Sequence, residues 1–292
     1  MKAARLHEIG GTPQVDEIPE VTGDGLVRVT TGALNPVDIT IGSGRFYGGT
    51  PEPPYVIGSE VVGTRDGRRL WLRGRSLLAE LVDPAGGWAF EVPDGVDDAT
   101  ALGCGIAGLT AWLAISWRTP VTPDDTVLVL GASGSLGGVA VQGAKVLGAK
   151  RVIGAARRTD LIPEAADEVV DLGAGGDLPA ATLIIDALWG EPVERALAAA
   201  PADVRVCHIG QSAGPAATLQ SNWVRGKMAE IRGLTLFACP EEVGAAGYRQ
   251  LCEHARDLRI ALATETYAAD EIAEAWQRQA SGSPGAKIVV TL

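Results

Sequence analysis

Cysteine, histidine and aromatic residues are scarce in this chain of 292 residues. It has four cysteines and three histidines, and aromatic residues make up only 5% of it. The cysteines lie far apart and form no C-x-x-C pair: Cys104, Cys207, Cys239 and Cys252. Their spacing therefore indicates neither a disulfide framework nor a structural zinc site. We expect buried free thiols instead.

Positive charge and long apolar runs are also in short supply. The chain has 25 Lys and Arg against 36 Asp and Glu, a formal net charge of −11. Nucleic acids and anionic membranes attract proteins through Lys and Arg, so we expect neither as a partner. The longest apolar stretches, such as 104–115, are too short to cross a bilayer, and the N-terminal MKAARLHEIGG lacks the apolar core of a signal peptide. We therefore expect a cytoplasmic protein.

The first hundred residues have the pattern of a compact β-domain. The length of the chain exceeds that of one ordinary core, which predicts two domains, and 46% hydrophobic residues suffice to fill them. Turn-rich segments separate short runs with β character at 26–30, 56–62, 69–72 and 76–82.

The pattern changes after an apolar helix predicted at 99–116. From there strands and helices alternate, as a doubly wound parallel sheet requires. The strands lie near residues 127, 151, 169, 182, 204 and 234, and the helices near 137–148, 191–200 and 221–230. After this region, a helix is predicted at 270–280 and a terminal strand at 287–292, and we assign both to the same β-rich domain as the first hundred residues. The sequence thus predicts an α/β protein with a discontinuous β-rich domain (1–104 and 262–292) and a doubly wound domain (105–261).

A glycine-rich turn after the first strand of the doubly wound domain has the form A-x-G-x-x-G. Its residues are Ala132, Ser133, Gly134, Ser135, Leu136 and Gly137. Gly134 lets the backbone approach a pyrophosphate, and Gly137 lets the helix press on the strand. The motif has a strand before it and a helix after it, within a βαβ unit of roughly thirty residues. It therefore predicts a bound dinucleotide; the alternative is a glycine-rich turn without a ligand.

The end of the second strand indicates which dinucleotide is bound. An NAD site places an acidic residue about twenty residues after the glycines, whereas an NADP site places arginine near the extra phosphate. This chain has Arg157 and Arg158, whose guanidinium groups suit a phosphate dianion. Asp160 reaches a ribose only if the loop folds back. The sequence predicts NADPH; the alternative is that both arginines are solvated surface charges.

Several segments of the chain resemble the quinone oxidoreductase branch of the medium-chain dehydrogenases/reductases. They are residues 35–38 (NPVD), 43–47 (SGRFY), 54–63 (PYVIGSEVVG), 107–112 (AGLTAW), 210–214 (GQSAG) and 285–290 (GAKIVV). The resemblance implies a GroES-like substrate domain, a Rossmann domain, a cleft between them, and a homodimer formed edge to edge by the Rossmann sheets. It also implies that Thr110, Gly210, Gln211 and Ser212 line the nicotinamide.

The types of residue at the family's metal positions argue against zinc. Ser59 stands where zinc-dependent members have histidine, and a serine hydroxyl is a poor zinc ligand. Cys207 and His208 are adjacent in sequence but lack a third partner. We therefore expect no metal.

Without a metal, a hydrogen bond must stabilise the negative charge that develops on the substrate oxygen. Tyr47 is our first candidate, because it matches a tyrosine in the active cleft of quinone oxidoreductases and its phenol is able to orient or protonate the substrate. Asn35 is the second, as an amide donor near the nicotinamide. The alternatives are that Tyr47 only shapes the pocket and that Asn35 is a turn or cap residue.

The chain is short for this family. Compared with the family that it resembles, the chain has fewer residues between Gly63 and Val92 and again after Arg158, where the family's usual helix is reduced to roughly 159–166. We expect the 2′-phosphate pocket to depend more on Arg157 and Arg158 as a result.

Taken together, the sequence predicts an NADPH-dependent oxidoreductase that reduces a quinone or conjugated enone by hydride transfer without zinc. One alternative is a reductase of a ketone, an imine or an intermediate of secondary metabolism. The other is a protein that binds NADPH without turnover, since a fold does not by itself fix a function.

Overall fold

The computed structural model describes residues 1–282 and 284–292. Contacts divide the chain into two compact units. The first unit is Met1–Ala107, Tyr248–Arg256 and Leu262–Leu292, and the second unit is Gly108–Gly247 and Asp257–Ala261.

The described residues form strands and helices with the following bounds. The strands are β1 (Lys2–Leu6), β2 (Gln14–Glu17), β3 (Val27–Leu34), β4 (Tyr55–Val56), β5 (Glu60–Arg65), β6 (Arg68–Arg73), β7 (Leu81–Val82), β8 (Trp88–Glu91), β9 (Thr126–Leu130), β10 (Arg151–Ala156), β11 (Glu168–Asp171), β12 (Leu183–Asp186), β13 (Arg205–His208), β14 (Glu230–Gly233), β15 (Thr264–Ala268) and β16 (Lys287–Thr291). The helices are α1 (Pro36–Gly42), α2 (Asp98–Gly103), α3 (Leu109–Leu113), α4 (Ser135–Val146), α5 (Gly190–Ala199), α6 (Ser221–Val224), α7 (Glu241–Arg256) and α8 (Ile272–Ala280).

Two sheets build the first unit. The larger sheet has the order β15-β16-β3-β5-β6-β8, with β7 also paired to β3, and the smaller has the order β2-β1-β4. The last strand, β16, runs antiparallel to β3 and pairs Val290 with Gly32. Apolar side chains from both sheets and from α8 share one core, including Leu6, Leu34, Leu78, Trp276 and Ile288. The terminal strand thus pairs with a strand of the N-terminal β-rich segment.

The second unit contains a parallel sheet of six strands in the order β11-β10-β9-β12-β13-β14. Numbered along the unit, this is the order 3-2-1-4-5-6 of a Rossmann fold, in which the direction of winding reverses between β9 and β12. The central strands β9, β10 and β12 are largely apolar and buried, as expected where both faces of a parallel sheet are covered. Leu128, Ile153, Ile184, Val206 and Leu197 lie in the core of this unit. The predicted α/β fold class is confirmed.

Two predicted helices are shorter in the structure. The segment after Arg158 forms only one turn, Thr159–Leu161, and Ile162 is extended because it precedes Pro163, which disfavours the helical conformation there. The helix predicted at 221–230 ends at Val224. Gly226 is a poor helix former, and Met228, with φ of 50°, turns the chain into β14.

One predicted helix is longer than expected. The helical run Asp98–Arg118 has 21 residues and is long and apolar enough, by length and composition, to cross a membrane, contrary to our expectation. However, 72% of its most apolar 18-residue stretch is buried within the protein, as in a core helix. Gly105 interrupts the helical geometry with φ of −66° and ψ of −137°. A side chain at this glycine would overlap Glu60 Oε2.

The segment Tyr248–Arg256 belongs to the first unit, whereas the boundaries proposed from the sequence assign it to the Rossmann domain. The ring of Tyr248 stacks on Trp71 at 4.8 Å, and its hydroxyl donates to the Ala101 carbonyl at 3.2 Å. These contacts explain why the second half of α7 groups with the β-rich unit.

Candidate functional site

The glycine-rich turn of the second unit forms a close junction between β9 and α4. Gly131 has φ of 85°, and its carbonyl accepts a hydrogen bond from Gly134 N at 3.1 Å. At Gly137 a Cβ would overlap the Gly131 carbonyl and lie 2.7 Å from Ala132 Cα, so only glycine fits. The first amides of a helix lack partners within it. The N-terminus of α4 is therefore suited to bind an anionic pyrophosphate.

Two exposed arginines follow the end of β10. Arg157 and Arg158 come directly after Ala156. Arg158 Nη2 lies 3.6 Å from Asp160 Oδ2, and more than half of each of these two side chains is exposed. Asp160, the acidic residue that we considered as a ribose ligand, thus contacts one of the two arginines. Both guanidinium groups are accessible to a phosphate, and the single turn Thr159–Leu161 replaces a helix beside them.

The loops that follow β12 and β13 are held together by hydrogen bonds. Ala187 O accepts from both Ser212 N (3.4 Å) and Ser212 Oγ (3.2 Å), and Ala213 N donates to Leu188 O at 2.8 Å. A Cβ at Gly210 would lie 2.7 Å from Ala187 O, so this residue permits the close approach. Gln211 is exposed in the same loop, and Thr110 is a buried residue of α3. Each of these predicted cofactor residues lies in the second unit.

A buried carboxylate, Asp186, organises the same edge of the sheet. Its Oδ1 accepts from the backbone amides of Leu188 (3.0 Å) and Trp189 (2.9 Å), and its Oδ2 lies 3.0 Å from His208 Nδ1. Trp189 has φ of 58° and ψ of −163°, a backbone conformation that is almost confined to glycine and costs about 1–3 kcal/mol. The sequence analysis did not identify Asp186 or Trp189.

A second buried carboxylate, Glu60, lies at the centre of a polar network in the first unit. It accepts from Trp71 Nε1 (2.9 Å), Ile106 N (2.7 Å) and Asn35 Nδ2 (2.9 Å) and forms a very short contact with Lys287 Nζ. Lys287 Nζ also donates to Asn35 Oδ1 at 2.5 Å. Neither Glu60 nor Lys287 is appreciably exposed. The ammonium group therefore neutralises a carboxylate that solvent does not reach.

Asp38 supports this network from one side. It accepts hydrogen bonds from Asn35 N at 2.8 Å and from Ser59 Oγ at 3.0 Å. Burial raises the pKa of Asp38 to about 6, against the lowering effect of these hydrogen bonds and of Lys287.

The two predicted catalytic residues occupy very different environments. Asn35 is only 2% exposed, and its amide donates to Ser59 Oγ (3.2 Å) and Glu60 Oε1 (2.9 Å). Both amide hydrogens are thus engaged, and Asn35 is a positioning residue in this structure, not a free donor. Tyr47 is 83% exposed, and its ring lies 4.7 Å from that of Phe46. The structure does not bring these two side chains together in one contact.

Comparisons with known proteins identify the architecture. No family model matches the chain. Among solved structures, the quinone oxidoreductase of Thermus thermophilus, also determined in complex with NADPH, is 26% identical, with a TM-score of 0.83 and 100% of both chains covered. The human quinone oxidoreductase is 31% identical over 51% of this chain and 51% of its own length. The chain is similar in sequence and fold to quinone oxidoreductases, which are medium-chain dehydrogenases/reductases.

A further match of this quinone oxidoreductase-like chain is to a much larger protein. It is 25% identical to a phenolphthiocerol/phthiocerol polyketide synthase polypeptide of Mycobacterium tuberculosis, over 100% of this chain and 14% of that polypeptide. The chain thus spans a small part of the synthase polypeptide and about half (51%) of the human quinone oxidoreductase.

We predict that Lys287→Met destabilises the protein by about 3–5 kcal/mol, because it leaves Glu60 charged and buried without a cation. The control is Lys145→Met, which removes a cation from the partly exposed pair with Asp167 and should cost less than about 1 kcal/mol. Urea unfolding of both variants and the wild type measures the difference. Equal, small losses in the two variants would contradict the assigned role of Lys287.

We also predict a pH-dependent contribution of Asp38 to stability. Its pKa is about 6 in the folded state against 3.8 for an unperturbed aspartate, so folding favours the protonated form. The contribution is fully present below the lower value and is lost as the pH rises through the higher one. The difference in unfolding free energy between the wild type and Asp38→Asn should therefore fall by on the order of 2–3 kcal/mol from about pH 4 to about pH 7. A difference that stays constant over this range would refute the raised pKa.

Proposed function

We propose that the chain is an NADPH-dependent oxidoreductase that reduces a quinone or a conjugated enone by hydride transfer, without zinc. The observation that carries the proposal is the junction of β9 and α4, where Gly137 permits contact with Gly131, together with the arginines at the end of β10. The similarity to the Thermus thermophilus quinone oxidoreductase, determined with NADPH, supports the same conclusion.

The residues of the second unit fit this dinucleotide. The amides of Ser135, Leu136 and Gly137 would hold the pyrophosphate at the N-terminus of α4, and Arg157 and Arg158 would hold the 2′-phosphate. Thr110 and the loop that contains Gly210, Gln211 and Ser212 would line the nicotinamide. When bound, NADPH supplies a hydride, which consists of one proton and two electrons.

The residues at the metal positions of zinc-dependent relatives do not form a zinc site. Zinc needs thiolate, imidazole or carboxylate ligands, normally three from the protein. Asn35 and Ser59 have a neutral amide and a hydroxyl at these positions. The Asn35 amide oxygen already accepts a hydrogen bond from the ammonium group of Lys287, which is positively charged. Within residues 1–282 and 284–292, no group of three or more His, Cys, Asp or Glu residues is arranged to hold a metal ion. We propose that Tyr47 donates a hydrogen bond to the substrate oxygen instead.

A second candidate is reduction of a ketone, an imine or an intermediate of secondary metabolism. The match of the whole chain to part of a polyketide synthase polypeptide favours it. The two candidates differ in the electrophile and share the cofactor.

We infer a homodimer formed through the edge of the Rossmann sheet. In the described part of the chain, β14 is the last strand of its sheet and has no neighbour on the outer side. Met228 and Ile231 are exposed there, which suits contact with a second copy. Sedimentation equilibrium tests this inference, and a monomer at micromolar concentration contradicts it. The cytoplasmic location stays a prediction, which cell fractionation tests.

The proposed activity is tested by oxidation of NADPH, followed by its absorbance, with a panel of quinones, enones, ketones and imines. We expect turnover with a quinone or an enone and a clear preference for NADPH over NADH. Turnover only with ketones or imines would support the second candidate. Tight NADPH binding without any turnover would identify a binding protein and overturn both.

We predict that replacing Arg157 and Arg158 together by Ala weakens NADPH binding at least about tenfold. A charge-assisted hydrogen bond contributes about 1.5–3 kcal/mol, and about 1.4 kcal/mol corresponds to a factor of ten. NADH binding should stay the same because NADH lacks the 2′-phosphate. The control is Arg151→Ala, which removes an arginine from the opposite end of β10, where it contacts Glu168. An unchanged ratio of the two affinities in the double variant would exclude the proposed phosphate site.

A further inference from the structure

His208 and Asp186 form a histidine–carboxylate pair at the carboxyl ends of two adjacent parallel strands. Asp186 ends β12, His208 ends β13, and the two residues are paired in register. The carboxylate is fully buried, and its Oδ2 lies 3.0 Å from His208 Nδ1. A carboxylate only accepts hydrogen bonds, so Nδ1 carries the proton in this contact. The pair therefore fixes the tautomer and the orientation of the imidazole.

The indole ring of Trp189 also contacts the imidazole of His208. The centroids of its ring and the His208 ring are 4.2 Å apart. The tryptophan reaches this position through its unfavourable backbone conformation, which Asp186 stabilises by accepting its amide hydrogen. Strained residues that are fixed in this way occur preferentially at functional sites. One buried carboxylate thus positions both rings.

The second ring nitrogen of His208 is available to a ligand. The side chain is 29% exposed. Among the residues that the structure describes, Nε2 has no hydrogen-bond partner, whereas Nδ1 is engaged by Asp186. The imidazole is therefore fixed at one nitrogen and open at the other, the arrangement found in histidines that transfer protons.

The position of the pair in the sheet indicates what Nε2 faces. Ligands of doubly wound sheets bind beyond the carboxyl ends of the strands, where the winding reverses. In this sheet the reversal lies between β9 and β12. The phosphate loop and the arginines follow β9 and β10, on the adenosine half, and His208 therefore belongs to the nicotinamide half.

We propose that His208 is the proton donor of the reaction, with Asp186 and Trp189 as positioning residues. The proposal rests on the proposed function. The substrate gains two electrons and one hydrogen as hydride, which leaves a negative charge on its oxygen or on the enolate. The imidazolium of His208 then releases its Nε2 proton to that site, becomes neutral, and regains a proton from solvent. NADPH, one proton and the substrate thus give NADP⁺ and the reduced substrate.

Asp186 and Trp189 both interact favourably with the imidazolium that this step needs. The carboxylate stabilises the positive ring through Nδ1, as in other acid–base histidines. The face of the indole attracts a cation at such a short distance. Both groups act on the imidazole and neither needs to touch the substrate.

The test compares His208→Ala with the wild type and with His7→Gln. His7 is a suitable control because it also pairs with an aspartate, Asp16 at 2.7 Å, but lies in the first unit. We expect kcat of His208→Ala to fall on the order of a hundredfold, with the Kd of NADPH unchanged and with partial recovery when imidazole is added. His7→Gln should keep the wild-type kcat.

A second readout does not depend on turnover. In a protein labelled with ¹⁵N histidine, the His208 ring signals are those missing from His208→Ala. We expect them to show a proton on Nδ1, and we expect the Nε2 signal to shift when NADP⁺ is added, while the His7 signals stay unchanged.

The outcomes separate this proposal from the proposed function. A wild type that neither binds NADPH nor oxidises it with any substrate of the panel overturns the proposed function and this inference with it. An active wild type overturns only this inference in three cases: kcat of His208→Ala is normal, imidazole restores none of its loss, or NADP⁺ leaves the Nε2 signal unchanged. A loss of kcat with an equal loss of NADPH affinity shows a structural role for His208 and also overturns it.

Discussion

The buried contact between Lys287 and Glu60 determines how the first unit is organised. It joins the last strand, β16, to β5, and the same carboxylate accepts hydrogen bonds from Trp71, from Asn35 and from the backbone after the kink at Gly105. Two charges without access to water are tolerated only when each satisfies the other and the remaining hydrogen-bonding positions are filled. That requirement explains why a glycine must occupy position 105, where a side chain would overlap the carboxylate. It also explains why Asn35 contributes its whole amide to the network.

The second unit uses a buried carboxylate in a different way. Among the described residues Asp186 contacts no lysine or arginine, and its carboxylate accepts hydrogen bonds from two backbone amides and lies next to one imidazole nitrogen. These bonds stabilise an unfavourable backbone conformation at Trp189 and fix the orientation of His208. The phosphate loop depends on the absence of a side chain, at Gly137, whereas this edge of the sheet depends on specific side chains. The half of the sheet that follows β12 and β13 thus combines a close approach of the backbone at Gly210 with side chains that hold one another in place.

Much of the fold could be predicted from the sequence, because apolar periodicity and glycine position are local signals. The phosphate loop, the two arginines and the alternation of strands and helices each depend on residues that are close in sequence. The role of Asn35 could not be predicted, since its partner Lys287 is 252 residues away. The pair of Asp186 and His208 depends on the register of two strands, which their short apolar runs do not reveal. The shortening of the helix after Arg158 is predicted from the sequence, but the structure retains only the turn Thr159–Leu161, because Ile162 precedes Pro163 and is extended.

The place of β16 has a consequence for the order in which the chain folds during synthesis. This strand follows all the other strands of its sheet in the sequence, yet it lies between β15 and β3 in the interior of that sheet and carries the only cation that contacts Glu60 among the described residues. A nascent chain that has not yet released β16 from the ribosome cannot complete this sheet or neutralise that carboxylate. Nearly all of the second unit, in contrast, is contiguous and is released earlier. The Rossmann sheet can therefore form while the β-rich unit, although most of its strands precede the Rossmann sheet in the sequence, remains unfinished until β16 has been synthesised.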